Sequence, residues 1–76
     1  MTTVEIEYCV PCGFLDRAVD LQRSLLTSLG GDLDAVTLRT GDHGVFRVTV
    51  DGDVVFDKGE DDYDVDAITR QVRERV

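Results

Sequence analysis

The chain has 76 residues, a length that accommodates one compact domain, residues 1–76, and leaves no room for a second. Apolar residues make up 42% of it, enough for a core, although so short a chain buries a small share of its surface and is marginally stable. The formal net charge of −8 argues against nucleic acid and against anionic membranes as partners, because both attract basic proteins.

The charged residues are also skewed in type. Twelve of the sixteen acids are Asp, and seven of the eight bases are Arg, with Lys58 as the one lysine. Short carboxylates and few apolar lysine stems suit a surface that stays soluble at high ionic strength, which predicts a halophilic protein. Residues 1–8 contain no basic stretch followed by an apolar run, so we expect a cytoplasmic location.

The first two elements are a strand and a helix. Apolar Val4, Ile6 and Tyr8 alternate with acids, the pattern of a strand with one buried face. From about Cys12 the spacing changes to three and four residues, which predicts an amphipathic helix ended by Gly30-Gly31. Its predicted apolar positions are Leu15, Ala18, Val19, Gln22, Leu25, Leu26 and Leu29.

Three strands and a second helix follow. Val36 and Leu38 indicate a second strand, residues 46–50 a third, and residues 54–56 a fourth. Asp51-Gly52 between the last two is a strong hairpin signal. Residues 60–64, four of which are acidic, then precede helical spacing at Val65, Ile68 and Val72, and we interpret this stretch as a helix start. The predicted order is β-α-β-β-β-α: one mixed four-stranded sheet with two helices, an α/β fold.

The chemistry-bearing motif is Cys9-Val10-Pro11-Cys12, at the junction of the first strand and the first helix. In this context a Cys-x-x-Cys pair indicates redox chemistry. The positive end of a helix stabilises a thiolate and lowers the thiol pKa, and the thiolate is the nucleophile. Asp16 is four residues after Cys12 and so on the same face of the predicted helix, where its negative charge would raise the thiol pKa. Arg17 is close enough to oppose Asp16. Two intervening residues let one sulfur attack a client disulfide while the other resolves the mixed disulfide.

Three other interpretations of the cysteines stay open. A purely structural disulfide would close a very short loop and would gain little stability. Tetrahedral zinc needs four ligands, and beyond the two thiolates the chain offers only His43 and carboxylates, so a soft-metal site is the sharper rival. The third is a redox-sensing module without turnover. His43 could tune a thiol as a cation, but a solvated loop histidine is the simpler interpretation.

Residues 8–14, Tyr-Cys-Val-Pro-Cys-Gly-Phe, resemble the N-terminal motif of the selenoprotein W-like (Rdx; SelT/SelW/SelH) family. A second match runs from Gly44 through Phe46 and Gly52 to Lys58-Gly59, so the resemblance spans essentially the whole chain. It implies a thioredoxin-like fold and a thiol redox role.

The resemblance makes Cys9 and Cys12 the redox pair, with Pro11, Gly13 and Phe14 as supporting motif residues. Selenocysteine occupies the second position in the family pattern, whereas thioredoxins attack with the first cysteine, so the order of nucleophile and resolver stays undecided. Phe14 is either an apolar lip for a partner or a packing residue. We expect protein thiol or disulfide clients, a monomer, no cofactor and no metal.

Overall fold

The computed structural model describes residues 2–59 and 64–76, and the predicted order of elements is confirmed. A single 3₁₀ turn (Gly30–Asp32) follows the first helix and was not predicted. The elements are β1 (Thr3–Cys9), α1 (Leu15–Leu29), β2 (Ala35–Gly41), β3 (Phe46–Val50), β4 (Asp53–Asp57) and α2 (Val65–Arg73).

The four strands form one mixed sheet in the order β2-β1-β3-β4. β1 is central, parallel to β2 and antiparallel to β3. The parallel pair requires the crossover that α1 supplies. In this register Thr3 pairs with Ala35 and Cys9 pairs with Gly41, so the cysteine motif lies at the end of the sheet opposite to the start of β2.

One apolar core fills the space between the sheet and the two helices. α1 contacts β1 and β2, α2 contacts β4, and the helices contact each other, so both cover one face of the sheet. The aromatic residues Tyr8, Phe46 and Phe56 are all buried. The core cluster comprises Val4, Ile6, Tyr8, Ala18, Leu21, Leu25, Leu29, Phe46, Val48, Val50, Phe56, Ile68 and Val72.

Helix α1 differs from the prediction in its start and in its buried face. It begins at Leu15, three residues after Cys12, because residues 10–13 form a turn. Leu21 is fully buried, whereas Leu15 and Leu26 are 49% and 45% exposed. A helix that packs against the sheet on one side buries a narrow stripe of residues, and Leu21 lies on this stripe.

The β3–β4 hairpin has the predicted turn and an unpredicted bulge. Asp51 and Gly52 both have positive φ, 50° and 90°, as a two-residue hairpin turn of this type requires. Phe56 pairs with Val48, but Val54 pairs with Thr49, which leaves Val55 as an extra residue. The bulge explains why Phe56 is buried while Val54 is 55% exposed.

Helix α2 starts with a side-chain cap. The Asp64 carboxylate accepts hydrogen bonds from the backbone N–H groups of Asp66 and Ala67, at 3.0 and 3.3 Å. Asp64 therefore caps the start of α2, where the sequence predicted that a helix begins. The rest of that stretch, residues 60–63, lies outside the described residues. Within the described ranges no helix is long and apolar enough to cross a bilayer.

The face of the sheet opposite to the helices carries ion pairs. Arg39 lies 3.5 Å from Glu5, and Arg47 lies 3.2 Å from Glu7 and 3.4 Å from Asp57. Asp57 also accepts a hydrogen bond from the backbone N–H of Gly59 at 2.9 Å. This hydrogen bond, followed by Arg47, holds the pKa of Asp57 below its ordinary value of 3.8.

A lowered pKa makes the contribution of Asp57 to stability depend on pH. The ionised carboxylate stabilises the folded chain above the unfolded-state pKa, and this stabilisation is lost as the pH falls through the lower folded-state pKa. When the pH is lowered from neutral to below about 4, we expect the free energy of unfolding of Asp57→Asn to fall less than that of the wild type, as measured by urea unfolding. The matched control is Asp34→Asn, an exposed carboxylate; an equal change in both variants would contradict the assignment.

Candidate redox site

The two cysteines of the motif are joined in a disulfide where β1 ends. Cys9 is the last residue of β1, and Cys12 lies in the following turn, with 5.3 Å between their Cα atoms. The structure therefore brings together the two residues that the sequence predicted as a redox pair. The supporting residues Pro11 and Gly13 lie in the same turn, before α1 and outside it.

Backbone hydrogen bonds from two neighbouring segments hold this turn. The N–H of Cys9 donates to the carbonyl of Val45 at 2.7 Å, and the N–H of Val10 donates to Gly41 at 3.1 Å. Within the turn, the N–H of Gly13 donates to Val10 at 3.2 Å. Gly13 has φ of +77°, a conformation that favours glycine and that explains its place directly after Cys12.

Gly41 allows the segments around Cys9 to approach closely. A Cβ atom at this position would lie 2.8 Å from Cγ1 of Val45 and 3.2 Å from Cγ of Glu7. The first distance is shorter than van der Waals contact, so a side chain at Gly41 would displace Val45, whose carbonyl binds the N–H of Cys9. The end of β2 thus positions the first cysteine.

The two sulfur-bearing residues differ sharply in exposure. Cys9 is fully buried, at 0% exposure, whereas Cys12 is an exposed residue. Val10, beside them in the turn, is 50% exposed, and Pro11 is exposed as well. A partner molecule can reach Cys12 without unfolding, but it cannot reach Cys9.

The amino-terminal end of α1 follows Cys12 after two residues. Phe14 is the N-cap residue and makes no side-chain hydrogen bond to the helix, so no side chain caps the first turn. Unpaired N–H groups and the helix dipole make this end favourable for negative charge. Because Cys12 lies outside the helix, the prediction that Asp16 follows it on one helix face is wrong, although both residues line one groove.

Phe14 packs against the core, and two cationic side chains lie over its ring. Its ring meets the buried ring of Phe46 edge to face, with 6.0 Å between the centroids. The guanidinium carbon of Arg17 lies 5.1 Å from the Phe14 centroid, and Nζ of Lys58 lies 5.5 Å from it. The Phe14 ring thus packs against the core, whereas its second considered role, an apolar lip for a partner, stays a prediction. The cation contacts were not predicted.

Neither the alternative metal site nor the role considered for His43 gains support from the described residues. In residues 2–59 and 64–76, no group of three or more His, Cys, Asp or Glu side chains is placed to hold a metal ion. The His43 side chain is 92% exposed and lies 3.3 Å from Asp42. It lines a second groove with Glu7 and Gly44, whereas the groove that contains Cys12 lies beside α1.

The structure has a β-α-β-β-β-α order of elements, one mixed four-stranded sheet and a Cys-x-x-Cys disulfide at the first strand–helix junction. These features define a protein with a thioredoxin-like fold. The model of the Rdx family matches residues 3–74, and the chain belongs to this family.

Two solved structures share the fold. A protein from Bordetella parapertussis, solved as a structural genomics target, is 30% identical, with a TM-score of 0.92 over 99% of this chain and 98% of that one. A selenoprotein W-related protein from Vibrio cholerae is 21% identical, with a TM-score of 0.90 over 97% of this chain and 95% of that one. No curated protein matches the sequence. Family membership and the paired cysteines together support a redox role.

Proposed function

We propose that the protein is a thiol–disulfide oxidoreductase that cycles Cys9 and Cys12 between dithiol and disulfide. The observation that carries this proposal is the asymmetry of the pair: one sulfur belongs to an exposed residue and the other to a fully buried one. An exchange cycle needs an accessible sulfur that meets the client and a protected one that resolves the mixed disulfide. A structural bridge has no need of an exposed member.

The difference in exposure supports a choice between the roles that the sequence left undecided: we propose that Cys12 attacks and that Cys9 resolves. In the reduced protein the Cys12 thiolate attacks one sulfur of a client disulfide. The client S–S bond breaks, a mixed disulfide forms, and one client thiolate leaves. The uncapped amino-terminal end of α1 and Arg17, which lines the same groove as Cys12, favour the negative charge on Cys12.

The Cys9 thiolate completes the cycle. It attacks the Cys12 sulfur, the bond between Cys12 and the client breaks, and the second client thiolate leaves. Two electrons pass from the protein dithiol to the client disulfide, and two protons go to the client thiols. The product is the Cys9–Cys12 disulfide that the structure contains. An external dithiol must reduce it again before the next cycle.

Reduction of insulin disulfides with dithiothreitol as the electron source tests this function. We expect multiple turnovers per protein molecule, at a rate well above that of dithiothreitol alone. A stoichiometric burst without turnover would instead support the competing interpretation, a redox sensor. Binding of one equivalent of zinc or copper by the reduced protein, without any exchange activity, would support the soft-metal interpretation. Protein clients, a monomeric state and a cytoplasmic location remain proposals.

A further inference from the structure

Beside Cys12 lies a groove that bears charged side chains. It has a volume of about 550 Å³, and it runs from the cysteine turn along the first two turns of α1 to the start of α2. The groove is lined by Cys12, Gly13, Phe14, Asp16, Arg17, Asp20 and Val65. A client bonded to Cys12 would place the residues next to its own cysteine in this groove.

Two exposed carboxylates are the unpaired charges of the groove. Within the described parts of the chain, neither Asp16 nor Asp20 has an ion-pair partner. They are four residues apart on α1, so they follow each other along one helix face at a rise of about 6 Å. Together they offer a cationic side chain two positions for an ion pair.

The two cationic side chains near the groove already have contacts within the protein. Arg17 and Lys58 both lie over the ring of Phe14, and Arg17 has a further interaction. Arg17 lines the groove and offsets part of the negative charge, which leaves the lining residues among those described with a net charge of −1 (one Arg minus two Asp). The net charge of −8 on the whole chain acts in the same direction at longer range.

Apolar side chains complete the match to a long cation. Phe14 and Val65 line the same groove as the two carboxylates. Lysine and arginine bury their methylene stems along apolar surface while the charged end reaches a polar partner. A lysine next to a client cysteine therefore finds both an apolar surface for its stem and a carboxylate for its ammonium group.

We propose that this groove selects polypeptide clients in which a lysine or arginine lies next to the reacting cysteine. The inference rests on the proposed exchange at Cys12 and adds the class of substrate. The chemical step is the one given above: the protein dithiol reduces the client disulfide, with the client thiols as products. Only the approach of the client and the stability of the mixed disulfide depend on the groove.

The test uses three symmetrical disulfides made from capped tripeptides Xaa-Cys-Ala, in which Xaa is Lys, Ser or Glu. The reduced protein is mixed with each peptide, and the release of peptide thiol is followed at low ionic strength. We expect the Lys peptide to react about three- to tenfold faster than the Glu peptide, the range for two exposed charge pairs. At about 1 M salt, where the Debye length is about 3 Å, the ratio should fall towards one.

Paired variants separate the groove from the overall charge. Asp16→Asn with Asp20→Asn removes two groove carboxylates and should lower the Lys-to-Glu ratio by at least half. Asp32→Asn with Asp34→Asn removes the same formal charge at the far end of the β1–β2 pair, about 20 Å from Cys9 along the strand, and should change the ratio much less. Arg17→Gln should raise the ratio.

The outcomes distinguish this inference from the function on which it rests. Equal rates for the three peptides with the wild type, or an equal effect of the two double variants, would overturn the selection of basic clients and leave the exchange at Cys12 intact. If the reduced protein releases thiol from none of the peptides, the exchange itself fails, and the inference fails with it.

Discussion

Replacing Cys12 by serine is expected to reduce insulin turnover to the rate of dithiothreitol alone. A serine hydroxyl is not ionised at neutral pH and cannot attack a disulfide, and the remaining thiol, Cys9, is fully buried. We therefore expect Cys12→Ser to react with a thiol-modifying reagent in the native state at least about a hundredfold more slowly than the reduced wild type, because access then requires local opening.

Cys9→Ser is the matched variant for this prediction. It retains the thiol of the exposed residue Cys12 but lacks the resolving one. When the reduced variant is mixed with insulin in the absence of dithiothreitol, we expect it to form a mixed disulfide with one insulin chain and to stop there. Mass spectrometry of the acid-quenched reaction measures this adduct. The opposite pattern, in which Cys12→Ser accumulates the adduct and Cys9→Ser is inert, would assign the attack to Cys9 and contradict the role that exposure gives to Cys12.

The largest effect on stability is expected for Phe46→Ala. The Phe46 side chain is fully buried and contacts the rings of both Phe14 and Phe56, the latter at 6.1 Å between centroids. Replacing a buried Phe by Ala costs about 3–5 kcal/mol, whereas a domain of this length has a free energy of unfolding of about 4–11 kcal/mol. A large share of the free energy of unfolding should therefore be lost, as measured by urea unfolding of the disulfide form.

Val54→Ala provides the control, because Val54 lies on an edge strand and is 55% exposed. Its effect should stay within about 0.5 kcal/mol. A loss below about 1.5 kcal/mol for Phe46→Ala would show that the neighbouring side chains fill the cavity, and it would contradict a large contribution of Phe46 to the core. Phe46→Leu keeps most of the volume and should fall between these two variants.

Local patterns were sufficient to predict the fold. Alternation along β1, the helical spacing that follows and the Asp51-Gly52 turn each depend on a few neighbouring residues, and all three are confirmed. The cysteine pair was also found from its spacing and its place at the strand–helix junction. Family membership agrees with the resemblance carried by residues 8–14 and by the segment after Gly44.

Features that depend on packing between distant segments could not be predicted. Periodicity alone could not separate buried Leu21 from exposed Leu15 and Leu26, because the covered side of α1 depends on where the sheet lies. The bulge at Val55 arises from pairing with β3. The unequal exposure of Cys9 and Cys12, on which their proposed roles rest, depends on how the chain covers the end of β1.

The contacts around Phe14 also depend on packing between segments that are distant along the chain. Phe46 and Lys58 are more than thirty positions away along the chain, and their approach to Phe14 becomes visible only when the sheet and α1 are packed together. The arrangement of Asp16, Asp20 and Val65 around one groove likewise joins α1 to the start of α2. The halophilic interpretation of the charge skew stays a prediction.

The reduction potential of the Cys9–Cys12 pair tests the central claim most directly. It is measured by equilibrating the protein with a series of glutathione redox buffers and counting free thiols after acid quenching, with Cys9→Ser and Cys12→Ser as controls. We predict a potential above about −300 mV, because one half of the bridge is exposed and exposed bridges are the readily reduced ones. A potential far below about −300 mV, the range of inert structural bridges, would contradict the oxidoreductase function.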